Sequence, residues 1–323
     1  MSDFFNIYLS FEAAEEACKN GDYVQAAEQY WWTVQYFKHG EFPVYDSSLS
    51  KIATKAESQW KSIVKSKLPT IKLSTSFFLM GKQCVKQMWL QKHRGNEQIV
   101  FEQMQSAFSQ GNNIGELARQ AYPNGKDADE TIFQNYSKDS LQAKSPIRIA
   151  ELPIILRQYI WLKHTKKLIE EKEDIIYDAA FVHNDVFATI DMLEYTGEDY
   201  IVYELKTTEV IDGGYSFESA IQYYVINNNI PVKDYYIIYP NKNYVNELSL
   251  PLTELTTGNC ETQKLFVKKS ILKEVEELQK NIERNIKTFK KIIEKNRCPQ
   301  LKMGNRCHKP YECAFIQYCS NRK

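Results

Sequence analysis

The chain has 323 residues, 25% of them charged and 13% aromatic, with Lys plus Arg and Asp plus Glu balanced at 41 each, so it has room for a sizeable core and one to three domains and a globular composition. A formal net charge of zero gives a nucleic-acid ligand no help from the overall field, and any basic footprint has to be local. The start of the chain carries Asp3 and Glu12 and no apolar leader core. No run reaches the roughly 18 apolar residues a membrane span needs, and the seven Cys then point to free thiols or metal ligation rather than a disulfide framework. The expectation is a cytoplasmic protein with no membrane partner.

Residues 1–66 read as a helical N-terminal extension and 67–323 as the main domain. Gly21-Asp22-Tyr23 followed by Ala26, Ala27 and Tyr30 resembles part of one tetratricopeptide repeat. No second copy is visible, and stacked repeats need about three units to be stable alone. The expectation is a helical hairpin packed on the main domain, with docking of a protein partner as the alternative. Leu73-Ser74-Thr75-Ser76 can cap a short helix that leads into Gly81-Lys82-Gln83-Cys84, and Trp89-Leu90 extends the apolar pattern. A helix is expected over 97–121, with Gly111, Gly115 and Glu116 inside it and Pro123 marking its end. Residues 124–145 read as loop and 147–171 as a long helix.

The period then becomes strand-like. Ile175–His183, Val186–Tyr195 and Tyr200–Thr208 are rich in β-branched and aromatic residues, and Asn184-Asp185 between the first two is a two-residue hairpin signal. Ser216–Asn228 reads as a helix and Asp234–Tyr239 as a fourth strand, giving a mixed α/β core. Residues 268–296 read as one last helix, with Ile271, Val275, Leu278, Ile282, Ile286, Phe289 and Ile293 as its buried stripe. Lys268, Lys269, Lys273 and Arg284 on its other faces are interrupted by Glu274, Glu276 and Glu283. That is a solvated mixed face, with a DNA-facing flank as the alternative.

Asp191 lies late in the second strand, and Glu204-Leu205-Lys206 lies on the third. Residues i and i+2 of a strand share a face, so Glu204 and Lys206 point the same way. Two carboxylates and an ammonium in one place suit a divalent cation and an attacking water beside a phosphodiester. Mg²⁺ or Mn²⁺ would polarise the phosphate and lower the pKa of the water. Hard cations take oxygen ligands, Mg²⁺ using one or two carboxylates and several waters. Asp191 and Glu204 supply such ligands, with the Leu205 carbonyl as a further one, and Lys206 would orient the water or hold the phosphate as a point charge. Glu204 continues the apolar run Ile201-Val202-Tyr203, where a charge is expensive unless paired or bound to metal. The alternatives are a buried Glu–Lys ion pair or an exposed edge strand.

Asp191, Glu204-Leu205-Lys206 and the αβββαβ order resemble the PD-(D/E)xK nuclease superfamily, and within it the RecB-like branch. The resemblance implies a restriction-endonuclease-like αβββαβ core with added helices. It also implies a helical Gln after the Glu-x-Lys strand, matched by Gln222 in Ala220-Ile221-Gln222-Tyr223-Tyr224, and an upstream Gly-x-x-x-His-Glu-like element. Gly111, Gly115 and Glu116 fall in that place, with Gly where the branch has His, so Glu116 is a candidate catalytic and metal-binding residue in its stead. Asp178 is a further, weaker candidate for the same pocket.

Cys307, Cys313 and Cys319 form a Cys-x5-Cys-x5-Cys group near the C-terminus. Three thiolates want a fourth ligand, and Cys84 is the candidate. One Cys before the core and three after it resembles the iron–sulfur RecB-like nucleases, including the CRISPR-adaptation exonucleases and the AddB-type helicase–nuclease subunit. The resemblance implies a structural 4Fe–4S cluster clipping the ends of the domain together. Tetrahedral Zn²⁺ on the same thiolates is the alternative, since the spacing departs from that of the better-known clusters. Cys298 and His308 are substitute ligands, and Cys18 and Cys260 read as bystanders.

The combined expectation is a metal-dependent DNA nuclease acting on single-stranded DNA or DNA ends, by family analogy. Trp89, Tyr223 and Tyr224 are candidates for base stacking, with core packing as the competing reading. The alternative function is a catalytically silent, nuclease-derived DNA-binding or assembly module. No phosphate-binding Gly-x-x-x-x-Gly-Lys-Ser/Thr loop is present, so unwinding would fall to a partner.

Overall fold

The computed structural model describes residues 3–39, 47–98, 114–129, 153–207, 216–248, 255–256 and 261–321. Gly111 and Cys260, and the expected helical residues 99–113 and 147–152, lie outside them. The chain divides into two units, Met1–Thr70 with Asp127–Lys172, and Ile71–Lys126 with Glu173–Lys323. No helix among the described residues is long and apolar enough to cross a membrane.

The first unit is helical. Where a two-helix hairpin is expected, three helices form, Asp3–Lys19, Tyr23–His39 and Ser47–Ser66. Gly21 turns the first into the second with φ +76°, a left-handed conformation that costs glycine nothing. Asp22 then caps the second helix by accepting from the Gln25 N–H at 3.0 Å. Ala14, Ala26 and Ala27 are buried against Trp31, Trp32 and Leu49, so small residues let the backbones approach around large rings. The helix Ile154–Glu170 also belongs to this unit. It buries Leu156 and Ile160 in the same apolar cluster, and its Lys163 donates to Asp22 Oδ2 at 2.6 Å.

The second unit is built on a seven-stranded mixed sheet, counted among the described residues. Its strands are β1 (Leu73–Ser74), β2 (Lys126–Asp127), β3 (Ile175–His183), β4 (Val186–Tyr195), β5 (Tyr200–Leu205), β6 (Val232–Pro240) and β7 (Phe266–Ser270). The order is β2-β3-β4-β5-β6-β7, with β1 pairing β4 in parallel. β3, β4 and β5 form an antiparallel meander, β6 runs parallel to β5, and β7 returns antiparallel to β6. The β3–β4 turn is the expected two-residue one. Asn184 and Asp185 have φ +49° and +60°, as a type I′ turn requires. The parallel β5–β6 step needs a crossover, supplied by the helix Ser216–Asn227. Ala220, Ile221, Val225 and Ile226 of that helix are fully buried.

The expected single helix over 268–296 is instead the edge strand β7 followed by the helices Leu272–Glu277 and Gln279–Ile293. Lys268 and Lys269 pair with Ile238 and Ile237 of β6, and charged residues on an edge strand discourage further strand addition. The apolar stripe survives the change. Ile271, Val275, Ile282, Ile286, Phe289 and Ile293 are buried, while Leu278 is half-buried at the junction of the two helices.

Ser74 caps the helix Thr75–Gln83 by accepting from the Phe77 N–H at 3.2 Å. This helix is broken from Val85–Arg94 at Cys84, whose backbone is extended with φ −159° and ψ 112°.

Candidate functional site

Strand register brings three carboxylates into one row. The β3–β4 pairs Tyr177↔Met192 and Ala179↔Ile190 place Asp178 opposite Asp191. The β4–β5 pairs run from Tyr195↔Tyr200 to Met192↔Tyr203, and the next step places Asp191 opposite Glu204. Directly opposed residues share a face and are close neighbours. Neither opposed pair is a ladder pair: β3–β4 pairing is interrupted at this row and resumes at Ala179↔Ile190, and the β4–β5 ladder ends before it. Asp178 leaves the strand conformation, with φ +49°. Lys206 N–H donates to the Ile238 carbonyl of β6 at 2.8 Å, which turns the neighbouring Leu205 N–H toward β4. There the Asp191 side chain receives it, at 2.6 Å from Oδ2.

Glu204 is buried on the central strand β5, and Lys206 follows the last residue of that strand with its side chain 10% exposed. Lys206 Nζ donates to Glu204 Oε1 at 2.9 Å and to Glu218 Oε2 at 2.8 Å. The buried Glu–Lys ion pair is therefore present. It leaves Glu204 Oε2 buried with no hydrogen-bond partner, a costly state for a carboxylate oxygen. Burial pushes the Asp191 carboxyl up to about 6, against the Leu205 N–H and Lys206. Burial and the Asp191 charge push Glu204 up to about 8. Burial works to lower the Lys206 pKa, but Glu204 and Glu218 outweigh it and hold the ammonium above its ordinary value.

A cavity of about 470 Å³ opens on this row, with Glu116, Arg119, Asp178, Asp191, Leu205 and Thr207 in its wall. Glu204 and Lys206 are not among its described lining residues; Asp191 and Leu205 stand between them and the opening. Glu116 is exposed on the helical segment 114–121. Asp178 is ion-paired with Arg119 and shares the cavity wall with Asp191, whose pKa its charge helps to raise. Among the described residues, no three His, Cys, Asp or Glu side chains are gathered closely enough to hold a metal ion. Two carboxylates, one with an orphaned oxygen, still fit Mg²⁺ or Mn²⁺, because such ions take one or two carboxylates and complete their shell with water.

Gln222 is 4% exposed and engaged at both ends. Its Nε2 donates to the Thr189 carbonyl at 3.0 Å, and its Oε1 accepts from Tyr235 Oη at 2.9 Å. It braces β4 against β6. Trp89, Tyr223 and Tyr224 are 6%, 6% and 7% exposed, so all three are core residues rather than a stacking platform.

The cysteines converge. Cys84, Cys307, Cys313 and Cys319 line one small cavity of about 20 Å³. Cys307 and Cys313 are buried in an apolar cluster with Trp89, Leu90 and Phe315, and Cys298 and Cys319 pack against it. The helical break at Cys84 aims that residue at the C-terminal loop. Gln83 on one side of it donates from Nε2 to the carbonyls of Arg306 and Tyr311 at 2.8 and 2.7 Å. Trp89 Nε1 donates to the Lys295 carbonyl at 2.7 Å, and Cys313 N–H to the Cys307 carbonyl at 2.8 Å. Burial, then the neighbouring thiols, push Cys313 up to about 11. Exposed His308 lies beside Glu312 at 3.9 Å and is not among the residues described at this cavity. Cys18 packs half-buried in the first unit.

Sequence reasoning missed Glu218 and Arg119. Glu218 could have been found from Gln222, because residues four apart on a helix share a face. Arg119 carried no such signal, since its partner Asp178 is distant in sequence. The chain matches no protein-family model and no curated protein.

Proposed function

We propose that the protein is a metal-dependent DNA nuclease of the RecB-like kind, with a restriction-endonuclease-like core. On this reading it hydrolyses phosphodiesters of single-stranded DNA or DNA ends. The observation that carries the reading is the opposed Asp191–Glu204 pair at the end of the β4–β5 ladder, with Glu204 Oε2 buried and unpartnered beside Lys206. A structural ion pair alone does not explain that orphaned oxygen.

A divalent cation bound by Asp191 and Glu204 would polarise the phosphate and acidify its water. The chain's own residues prepare for this. Leu205 N–H fixes one Asp191 oxygen and leaves the other to a ligand. Lys206 fixes Glu204 Oε1 and leaves Oε2. Glu218 in turn fixes Lys206. Its two carboxylate partners keep Lys206 protonated, so it serves as a fixed positive charge against the negative charge developing on phosphorus, rather than as a base. The Leu205 carbonyl and Glu116 are further ligand candidates.

The thiol set supports a structural 4Fe–4S cluster held by Cys84, Cys307, Cys313 and Cys319. Zn²⁺ on the same residues is the second reading. Zinc would take the four thiolates tetrahedrally, and metal analysis of the purified protein, iron with sulfide against zinc, separates the two readings.

The test is incubation of the purified full chain with labelled single-stranded and duplex DNA and Mn²⁺ or Mg²⁺. Cleavage that EDTA abolishes is expected. A wild-type protein that binds DNA but cuts none of these substrates would leave the silent DNA-binding module as the function.

A pH dependence follows. A carboxyl whose folded pKa is raised favours the fold while protonated, and that contribution is lost as pH rises through the raised value. Melting of the metal-free protein therefore falls as pH rises from the ordinary carboxylate values of 3.8 and 4.5, the Asp191 part being lost by pH about 6 and the Glu204 part by pH about 8. Mn²⁺ competes with those protons, so the stabilisation it confers grows over the same interval. Thermal melts with and without Mn²⁺ at the two ends check it, and a Mn²⁺ shift independent of pH would contradict it.

A further inference from the structure

The cavity on the carboxylate row has a charge problem for the substrate of the proposed nuclease. Glu116, Asp178 and Asp191 in its wall are acidic, and Arg119 is the cation among its described lining residues. Lys206 is buried behind the wall and already bonded to Glu204 and Glu218. A polyanion entering here meets like charge unless a positive group receives it.

We propose that Arg119 receives the backbone phosphate of a single-stranded nucleic acid at this cavity, with Asp178 as the positioning residue that holds its guanidinium ready; this rests on the nuclease reading above. Three features hold the guanidinium in place. Asp178 pairs with it from β3. The Tyr177 ring lies beneath it, 4.9 Å from ring centroid to guanidinium carbon. Tyr177 Oη donates to the Arg119 main-chain carbonyl at 3.2 Å, which ties ring and helix together. The side chain remains 35% exposed, so it is fixed yet reachable. A guanidinium presents its N–H donors in a planar fork, and that fork matches phosphate geometry.

The left-handed backbone of Asp178 has its explanation in the same arrangement. Asp tolerates φ above zero better than most residues. Here Asp178 takes φ +49° and its carboxylate pairs with Arg119, while it stays in the same cavity wall as Asp191.

The experiment measures binding of a fluorescein-labelled single-stranded oligonucleotide, as DNA and as RNA, to the full chain in EDTA across a salt series. Arg119→Gln is expected to weaken binding about tenfold or more, the scale of a lost charge-assisted contact, and to reduce the salt slope by about 0.7, the share of one phosphate on a single strand. Arg119→Lys keeps the charge and most of the slope but not the fork, so its affinity falls between the two. It also covers the case in which the glutamine variant fails to fold. Wild-type affinity and slope in both variants would overturn the proposal, as would a wild-type protein that binds neither oligonucleotide. Wild-type cleavage with Mn²⁺ alongside unaltered binding by Arg119→Gln would sink Arg119 and leave the nuclease reading. Arg119-dependent binding with no cleavage under any divalent cation would do the reverse.

Discussion

Replacing Glu204 with Gln is expected to leave the protein folded and to lower DNA cleavage by about 10²–10³-fold or more, the cost of removing one preorganised charge-stabilising group. The amide keeps the shape of the side chain and an oxygen for Lys206, but it lacks the charge a hard cation requires. Stability should move the other way. At pH about 8 the metal-free Glu204 is partly ionised, and that buried charge has one oxygen unpartnered, whereas the neutral amide is cheaper to bury. Lys206 retains Glu218. The metal-free melting temperature of Glu204→Gln should therefore equal or exceed that of the wild type at pH about 8, while Mn²⁺ raises only the wild type. Activity and stability trade against each other in this way at functional sites. Two results would count against the reading. Unchanged cleavage in the variant would place the chemistry elsewhere. A large drop in metal-free melting temperature would mean that the Glu204–Lys206 pair is kept for structure.

Cys313→Ser is expected to remove the bound cluster and loosen the end of the chain. The segment after the helix Gln279–Ile293 has little structure of its own, a single 3₁₀ turn at Asn305–Cys307 and a short helix at Ile316–Ser320. Among its described residues it buries Cys307, Cys313 and Phe315. Its other ties to the helix Val85–Arg94 and to Gln83 are a few hydrogen bonds. A structural metal group lends folding free energy to the segment that it ties down, so its loss should lower the melting temperature by several degrees, at about 2–4 °C per kcal/mol for a domain of this size. The purified variant should be colourless, carry less than the full complement of iron, and be cleaved first within 298–321 in limited proteolysis. Cys18→Ser, in the first unit, should melt and colour like the wild type. A Cys313→Ser protein without iron that melts like the wild type would refute the clip.

Local pattern determined a great deal of this protein. The alternating apolar residues of 175–195 and the Asn184-Asp185 pair define β3, β4 and their turn, because strand period and left-handed turn preference are properties of neighbours along the chain. The i, i+2 spacing put Glu204 and Lys206 on one face, and they are bonded there. The cysteine spacing picked out three thiols, the need for a fourth ligand pointed to Cys84, and all four line one cavity.

Tertiary structure decided what those residues have around them. Whether Lys268 and Lys269 fall on a helix or a strand was settled by the open edge of β6. The place of the helix Ile154–Glu170 was settled by the apolar cluster that takes Leu156 and Ile160. The row Asp178–Asp191–Glu204 exists because three strands pair in one register, and the roles within it were set by partners remote in sequence. Arg119 pairs with Asp178, Leu205 N–H holds Asp191, Glu218 holds Lys206, and Thr189 and Tyr235 engage Gln222. Periodicity reports which way a side chain faces. The group that meets it there depends on strand register and packing, which no window of adjacent residues contains.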